Sequence, residues 1–402
     1  MAAIERVTHK KVNYFALFHL EKTKIMKPIR MVDLVTQYEE IKSEVKSSID
    51  TILDNAQFIN GPDVKEFKTE LANYLGVKHV IPCANGTDAL QISMMALGLK
   101  PGDEVITPSY TYIATTEVMG LLRLTPVFVD CDPETFNIRP EEIRKAISPK
   151  TKAIVPVHLY GQSCAMDEIM EIAEEYGLYV IEDNAQAIGC SYTSKDGSVR
   201  KTGTIGTVGC TSFFPSKNLG CYGDGGAMCT NDDDLAQKLQ MVANHGQSKR
   251  YYHDIVGCNS RLDSIQAAVL RIKLRKLDQY IANRNRAADF YNNAFANVEQ
   301  IKTPSRDPQS EHVFHQYTLQ LNDSVDRDGL VEYLASKDIP AMIYYPVPAH
   351  KQKMFAELET RTGDLTTTDW LTTRVFSLPM HTELEEDQLK YICDSVIEYI
   401  NK

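Results

Sequence analysis

The chain lacks any run of about 20 apolar residues, so nothing in it is expected to cross a membrane as a hydrophobic helix. Its nine cysteines include no CxxC pair, and their number is odd. Thiols in a reducing compartment explain this better than disulfides or structural zinc, so a cytoplasmic protein is expected. Positive charge is also scarce: 43 Lys and Arg stand against 54 Asp and Glu, leaving a net charge of −11. With no basic domain, a general nucleic-acid binder is excluded, and an anionic substrate would need a local basic cluster. No internal repeat or low-complexity segment is present. The glycine-rich run at 220–226 fits neither GxGxxG after a strand nor GxxxxGK[ST], so dinucleotide and P-loop readings have no support.

What the chain does contain is organised around residues 212–226, SFFPSKNLGCYGDGG. Lys217 is the one lysine in this run, with Phe213, Phe214 and Pro215 before it and glycines after. Partial burial would disfavour its ammonium form and leave a nucleophilic amine near neutral pH. Such an amine attacks carbonyls to form a Schiff base, the linkage by which enzymes hold pyridoxal phosphate. A lysine merely reaching from a loop is the plain alternative. Ser212, five positions upstream, carries a hydroxyl suited to a phosphate oxygen, and the glycines allow close approach of backbone to a ligand.

At 402 residues the chain has room for a large domain and a smaller one. Apolar residues at helical spacing predict helices over 33–53 and 63–74. Strands are predicted at 79–83, 104–107, 126–130, 152–157 and 178–182, alternating with helices at 87–97, 140–147 and 166–176. This is an α/β pattern with a mostly parallel central sheet and helices on both faces. Leu262, Ile265, Val269 and Ile272 predict one long helix running on towards Arg286. Beyond it, shorter mixed segments predict a smaller C-terminal α+β domain. The expected division is an extension over 1–25, a large domain over 26–285 and a small one over 286–402. The apolar stretch at 12–20 is too short for a span and has no small-residue cleavage site after it.

In such a sheet, ligands sit beyond the carboxyl ends of the strands. After the first strand comes Asn85-Gly86-Thr87-Asp88, which reads as an anion site at a helix N-terminus or as a plain N-cap. After the second comes Pro108-Ser109-Tyr110-Thr111-Tyr112, where an aromatic could stack on a heterocycle or simply fill the rim. After residues 178–181 come Glu182, Asp183 and Gln186. Two carboxylates there are costly without a partner. A protonated pyridine nitrogen would be one for Asp183, with Gln186 bonding a ring substituent, and an N-cap is the alternative. His312-x-x-His315 without nearby carboxylate or cysteine ligands is assigned to the fold, and no metal site is expected.

NGTDAL, PSYTYIATTE, VIEDNAQ, SFFPSKNLGCYGDGGA, NHGQSKRYYH, GCNSRLDSIQAA and YYPVPAH, in this order, resemble the pyridoxal-phosphate-dependent sugar-nucleotide aminotransferases of the DegT/DnrJ/EryC1 family. The resemblance runs from about residue 26 to the end. It implies fold type I and, among members, is strongest to the UDP-2-acetamido-2-deoxy-ribo-hexuluronate 3-aminotransferases of surface-polysaccharide pathways, including lipopolysaccharide O-antigen. It implies Lys217 as the Schiff-base lysine, Asp183 as partner of the pyridine nitrogen, Gln186 at the ring hydroxyl and Tyr112 stacked on the ring. Gly86, Thr87 and Ser212 would hold the phosphate. Asn259 would reach the phosphate of the neighbouring subunit, making the unit a homodimer with shared sites. Arg261, Tyr344, Tyr345 and His350 would face the substrate carboxylate or sugar, and Lys249 and Arg250 the diphosphate. L-Glutamate is the expected amino donor and a UDP-sugar the acceptor. A dTDP-3-keto- or 4-keto-6-deoxyhexose is the rival acceptor. A dehydratase, in which histidine replaces the lysine, is disfavoured by Lys217, and a non-catalytic cofactor-binding regulator by the retained Lys217, Asp183 and Gln186. Residues 192–203 are longer than the family pattern and predict a surface hairpin.

Overall fold

A computed structural model describes residues 26–402; the expected extension over 1–25 lies outside them. Asp33 opens the first helix, Leu34–Asn55, its carboxylate accepting from the Thr36 amide at 3.1 Å. Pro62 opens the second, Pro62–Leu75, where its missing N–H costs nothing.

The central sheet has eight strands in the order His79–Cys83, Gly226–Thr230, Val208–Ser212, Tyr179–Asp183, Thr151–Ile154, Glu104–Pro108, Thr125–Val129 and Arg361–Thr362. Every neighbouring pair is parallel except the two made by Gly226–Thr230, which runs against both its neighbours. Its reversal has a direct consequence. The register sets Gly226 opposite both Cys83 and Ser212, so the carboxyl ends of those two strands meet its start. Asp183 pairs with Cys210 one strand further on. The residues after these three strands therefore emerge along one edge of the sheet.

Helices cover the faces as their periodicity requires. Met166, Ile169, Ile172 and Ala173 form the buried side of Met166–Tyr176, each isoleucine contributing roughly 2 kcal/mol of burial. Residues 191–193 and 199–201 pair as the antiparallel hairpin expected in the long insertion. The single long helix expected after residue 262 is instead two, Ser264–Leu274 and Leu277–Phe295, separated at Arg275 and Lys276. The turn lets the first pack in the large core through Leu270 and Leu274, while the second delivers Ala287, Tyr291 and Phe295 to a separate core. That second core gathers the antiparallel strands Ile301–Lys302, Tyr317–Leu321 and Val375–Leu378 with the helices Arg327–Ser336 and Glu386–Ile400. The boundary drawn at 285/286 falls inside the helix Leu277–Phe295, and the strand Arg361–Thr362 crosses back to the edge of the large sheet. No helix among the described residues is long and apolar enough to cross a membrane.

Candidate active site

A cavity of about 670 Å³ opens at the carboxyl edge of the sheet, and Gly86, Thr87, Tyr112, Asp183, Gln186, Ser212, Lys217, Tyr344 and Tyr345 all line it. Its floor is the end of the strand Tyr179–Asp183. The two adjacent carboxylates there alternate in direction, as strand side chains must, and meet opposite fates. Glu182 is fully buried and accepts from the Gly203, Ile205 and Gly206 amides at 2.6–2.7 Å and from His158 Nε2 at 2.9 Å. Burial pushes its pKa up, but His158 and the amides outweigh this and hold it below the ordinary glutamate range. His158 Nδ1 accepts from the Cys164 amide at 3.1 Å, so the ring proton sits on Nε2, facing Glu182.

Asp183 faces the cavity with less support. Thr115 Oγ1 donates to its Oδ2 at 2.8 Å and the Ala185 amide to its Oδ1 at 3.1 Å. Burial wins here, and the carboxyl is held above its ordinary pKa despite Thr115, Ala185 and the Lys217 charge. A buried acid in this condition calls for a positive partner.

Lys217 follows the strand Val208–Ser212 in a turn closed by its own amide on the Phe214 carbonyl at 2.9 Å. Burial pulls its amine down to about 8, opposed by attraction to Asp183. Its Nζ makes no hydrogen bond among the described residues. It is thus a half-buried, uncommitted amine that is partly neutral near physiological pH.

The opposite wall is the N-terminus of the helix Gly86–Ala96. Asn85 caps it, accepting from the Asp88 amide at 2.8 Å through its side chain and from the Ala89 amide at 3.2 Å through its carbonyl. Asn85 is therefore an N-cap, and the Gly86 and Thr87 amides stay available at the positive end of the helix. A Cβ on Gly86 would sit 2.6 Å from Ser212 Cβ, so only glycine lets the Ser212 hydroxyl and these amides converge.

Aromatic groups complete the site. Tyr112 is 56% exposed at the mouth, its ring 6.0 Å from that of Tyr345. Tyr345 OH accepts from Gln186 Nε2 at 3.0 Å, while Gln186 Oε1 accepts from the Tyr160 amide at 2.7 Å. The Tyr344 carbonyl accepts from Tyr110 OH at 2.6 Å and from Tyr160 OH.

Other expected site residues lie elsewhere in the chain. Asn259 is exposed and bridges Asn244, and Arg261 does not line the cavity. Lys249 and Arg250 are exposed on the hairpin Gln247–Lys249 and Tyr252–His253, each over a tyrosine ring. His350 is engaged by Ser109 Oγ at 2.7 Å and Asp369 at 3.5 Å, outside the cavity lining. Conversely, His315, assigned to the fold from sequence, lines the cavity beside Gln316, and burial holds its ring neutral. Its partner in the motif, His312, is stacked on Phe314 at 3.8 Å. Thr115 and Tyr160 were also missed. Thr115 stood within the motif PSYTYIATTE, one helical turn beyond Thr111, and that spacing was the available signal.

These features fit pyridoxal phosphate. The cavity has the size of a cofactor site, a buried acid with no ion-pair partner among the described residues stands where a ring nitrogen would go, and bare amides with a hydroxyl stand where an anion would go. Gly86, Thr87 and Ser212 would hold the phosphate, Asp183 the ring nitrogen and Lys217 the aldehyde carbon.

Comparison with known proteins agrees in kind. Residues 39–397 match the DegT/DnrJ/EryC1/StrS aminotransferase family. A UDP-2-acetamido-2-deoxy-3-oxo-D-glucuronate aminotransferase of Pseudomonas aeruginosa is 46% identical over 365 residues, covering 91% of this chain and 98% of the relative. A pleiotropic regulatory protein of Geobacillus stearothermophilus is 43% identical over 373 residues, covering 92% and 98%. A crystal structure of NtdA from Bacillus subtilis with bound cofactor PMP superposes with a TM-score of 0.84 at 29% identity, covering 98% of this chain and 91% of that one.

Proposed function

The chain belongs to the DegT/DnrJ/EryC1/StrS aminotransferase family, and from that premise we propose that it moves an amino group from L-glutamate to a UDP-linked 3-keto sugar, UDP-2-acetamido-2-deoxy-3-keto-hexuronic acid. The product would serve surface-polysaccharide assembly in the cytoplasm. The observation that carries the catalytic reading is the meeting of an uncommitted amine, Lys217, and an undercompensated buried acid, Asp183, in one cavity.

Pyridoxal phosphate, when bound, supplies a carbonyl that condenses with amines and a ring that accepts an electron pair. The chain's own residues do the rest. Lys217 Nζ would accept the proton lost from the amino-acid α-carbon and hold it as an ammonium until it is given up again, which its pKa of about 8 suits. Asp183, bonded by Thr115 and Ala185, would keep the ring nitrogen protonated. Gln186, held by the Tyr160 amide, presents its amide to Tyr345 and would present it to the ring hydroxyl. Tyr112, at the mouth of the cavity, would cover one face of the ring.

The substrate assignment is supported by the identity to the Pseudomonas aeruginosa protein over nearly the full length of both chains. We infer in addition a homodimer. Asn259, Arg261, Lys249 and Arg250 are absent from their own chain's cavity, and Tyr251, Val256, Phe58 and Ile59 are 45–83% exposed near them in sequence or by backbone contact, with Phe58 bonded to Ser264. In that arrangement these residues would complete the partner's site.

A dTDP-keto-hexose is the rival acceptor. The regulator reading has a relative of that description, but a regulator has no use for a poised amine facing an acid. Incubation with L-glutamate and each keto-sugar nucleotide decides among them. Formation of 2-oxoglutarate and amino sugar with the UDP-3-keto-hexuronate, at least about tenfold faster than with dTDP sugars, is expected. Turnover only with a dTDP sugar overturns the substrate, and no turnover with any keto sugar overturns the enzyme.

A further inference from the structure

The helix Ser264–Leu274 carries a buried lysine that the chemistry above does not use. Lys273 is 2% exposed. Its Nζ donates to the Gly220 carbonyl at 2.8 Å and lies 4.8 Å from the centroid of the Tyr222 ring. No carboxylate pairs with it among the described residues; the nearby charged group is another cation, Arg284. Burial pulls its amine down to about 8. An ammonium without a counter-charge in a core is costly, and a methionine would fill the same volume without that penalty.

The lysine supplies one thing a methionine lacks, a donor aimed at Gly220, and Gly220 occupies a distinctive place. A Cβ there would lie 2.3 Å from the Pro215 carbonyl oxygen and 2.8 Å from that of Phe214, so the chain after Lys217 folds tightly back on the chain before it. Cys221 fastens the same loop, its amide donating to the Phe213 carbonyl at 2.8 Å. Two tethers join this closed loop to its surroundings. Asn218 Nδ2 donates to the Val313 carbonyl at 2.9 Å on one side. On the other, one helix holds two consecutive points: Lys273 on Gly220, and Gln266, whose Oε1 accepts from the Tyr222 amide at 2.8 Å.

We propose that Lys273 is a positioning residue of this active site, whose hold on the Gly220 carbonyl and the Tyr222 ring fixes the loop that aims the Lys217 amine into the cavity. The role rests on the reading of Lys217 as the cofactor lysine.

Two measurements on the full chain test it. Hydrogen exchange of the cofactor-free protein reads the loop itself. In Lys273→Met the peptide covering 213–226 should exchange about tenfold faster, the worth of one buried hydrogen bond, with the strand Tyr179–Asp183 unchanged. In the cofactor-loaded protein, the pH midpoint of the cofactor's visible absorbance should move by about half a unit or more, and kcat should fall about tenfold with little change in KM. Lys273→Gln, a shorter neutral donor, should recover part of each effect. Exchange and midpoint unchanged in Lys273→Met overturn the proposal. If Lys273→Met does not fold, Tyr222→Leu decides by the same two readings, and a Tyr222→Leu protein that matches wild type or collapses also overturns it. Lys217→Ala separates the two claims. If wild type has no Lys217-dependent visible band, the functional reading falls and this role with it; if the band exists but Lys273→Met leaves it unmoved, only this role falls.

Discussion

Asp183 and Glu182 are neighbours in the chain, equally buried, and opposite in behaviour because one has four donors and the other two. The sequence showed that two carboxylates followed an apolar strand; it could not show which was satisfied, since Glu182's donors come from His158 and from residues 203–206. Thr115 is the support that Asp183 does have. Thr115→Val should weaken cofactor binding about tenfold, the worth of a hydrogen bond to a charged acceptor at the low end, by titration of the cofactor-free protein. Unchanged affinity would detach Thr115 from the site. Lys217 makes a pH prediction. Its folded pKa is about 8 against an ordinary 10.5, so below about pH 8 both states hold the proton and the folded state bears the full burial penalty. Between these values the unfolded state alone binds the proton, and stability rises with pH. Cofactor-free Lys217→Met should therefore be more stable than wild type at pH 7, by on the order of 2 kcal/mol, with the gap closing towards pH 10.5. Lys273 titrates in the same window in both proteins and cancels from the difference. Urea unfolding at several pH values measures it, and a gap that does not narrow would contradict the shift.

Among the elements, the alternation from residue 79 to 183 was legible because its strands are apolar and its helices periodic. Observed bounds of the expected elements differ by a few residues at most, although the helix Ala114–Leu121 was not among them. Val208–Ser212 and Gly226–Thr230 were not foreseen. The first contains Gly209, whose absent side chain lets the Gly203 carbonyl oxygen come within 2.0 Å of where a Cβ would lie, and glycine in a strand hides the pattern. The second is reversed, and direction is not written in side-chain periodicity. These two unread strands bring Ser212 and Gly226 to the helix at Gly86. Gly86→Ala should collide with Ser212, reducing cofactor affinity about tenfold or more and destabilising the fold by about 1–3 kcal/mol, read by cofactor titration and urea midpoint. A variant that binds normally would mean the phosphate does not use this cradle.

For the whole molecule, the acidic balance, the absence of a nucleotide-binding loop and the ordered motifs pointed to the family. The residues left outside the cavity point to a second copy. Val256 is 83% exposed and three residues before Asn259. Val256→Asp should yield monomers in sedimentation and lower cofactor affinity together; a monomer that binds as well as wild type would refute shared sites. The central claim is simpler: of the chain's amines, it is Lys217 that holds the cofactor. Borohydride reduction of the loaded protein followed by peptide mass mapping addresses it directly, because reduction makes the attachment permanent. A phosphopyridoxyl mass on Lys217 alone is predicted; the mass on Lys273, another buried amine with a pKa near 8, or on no lysine would contradict the account.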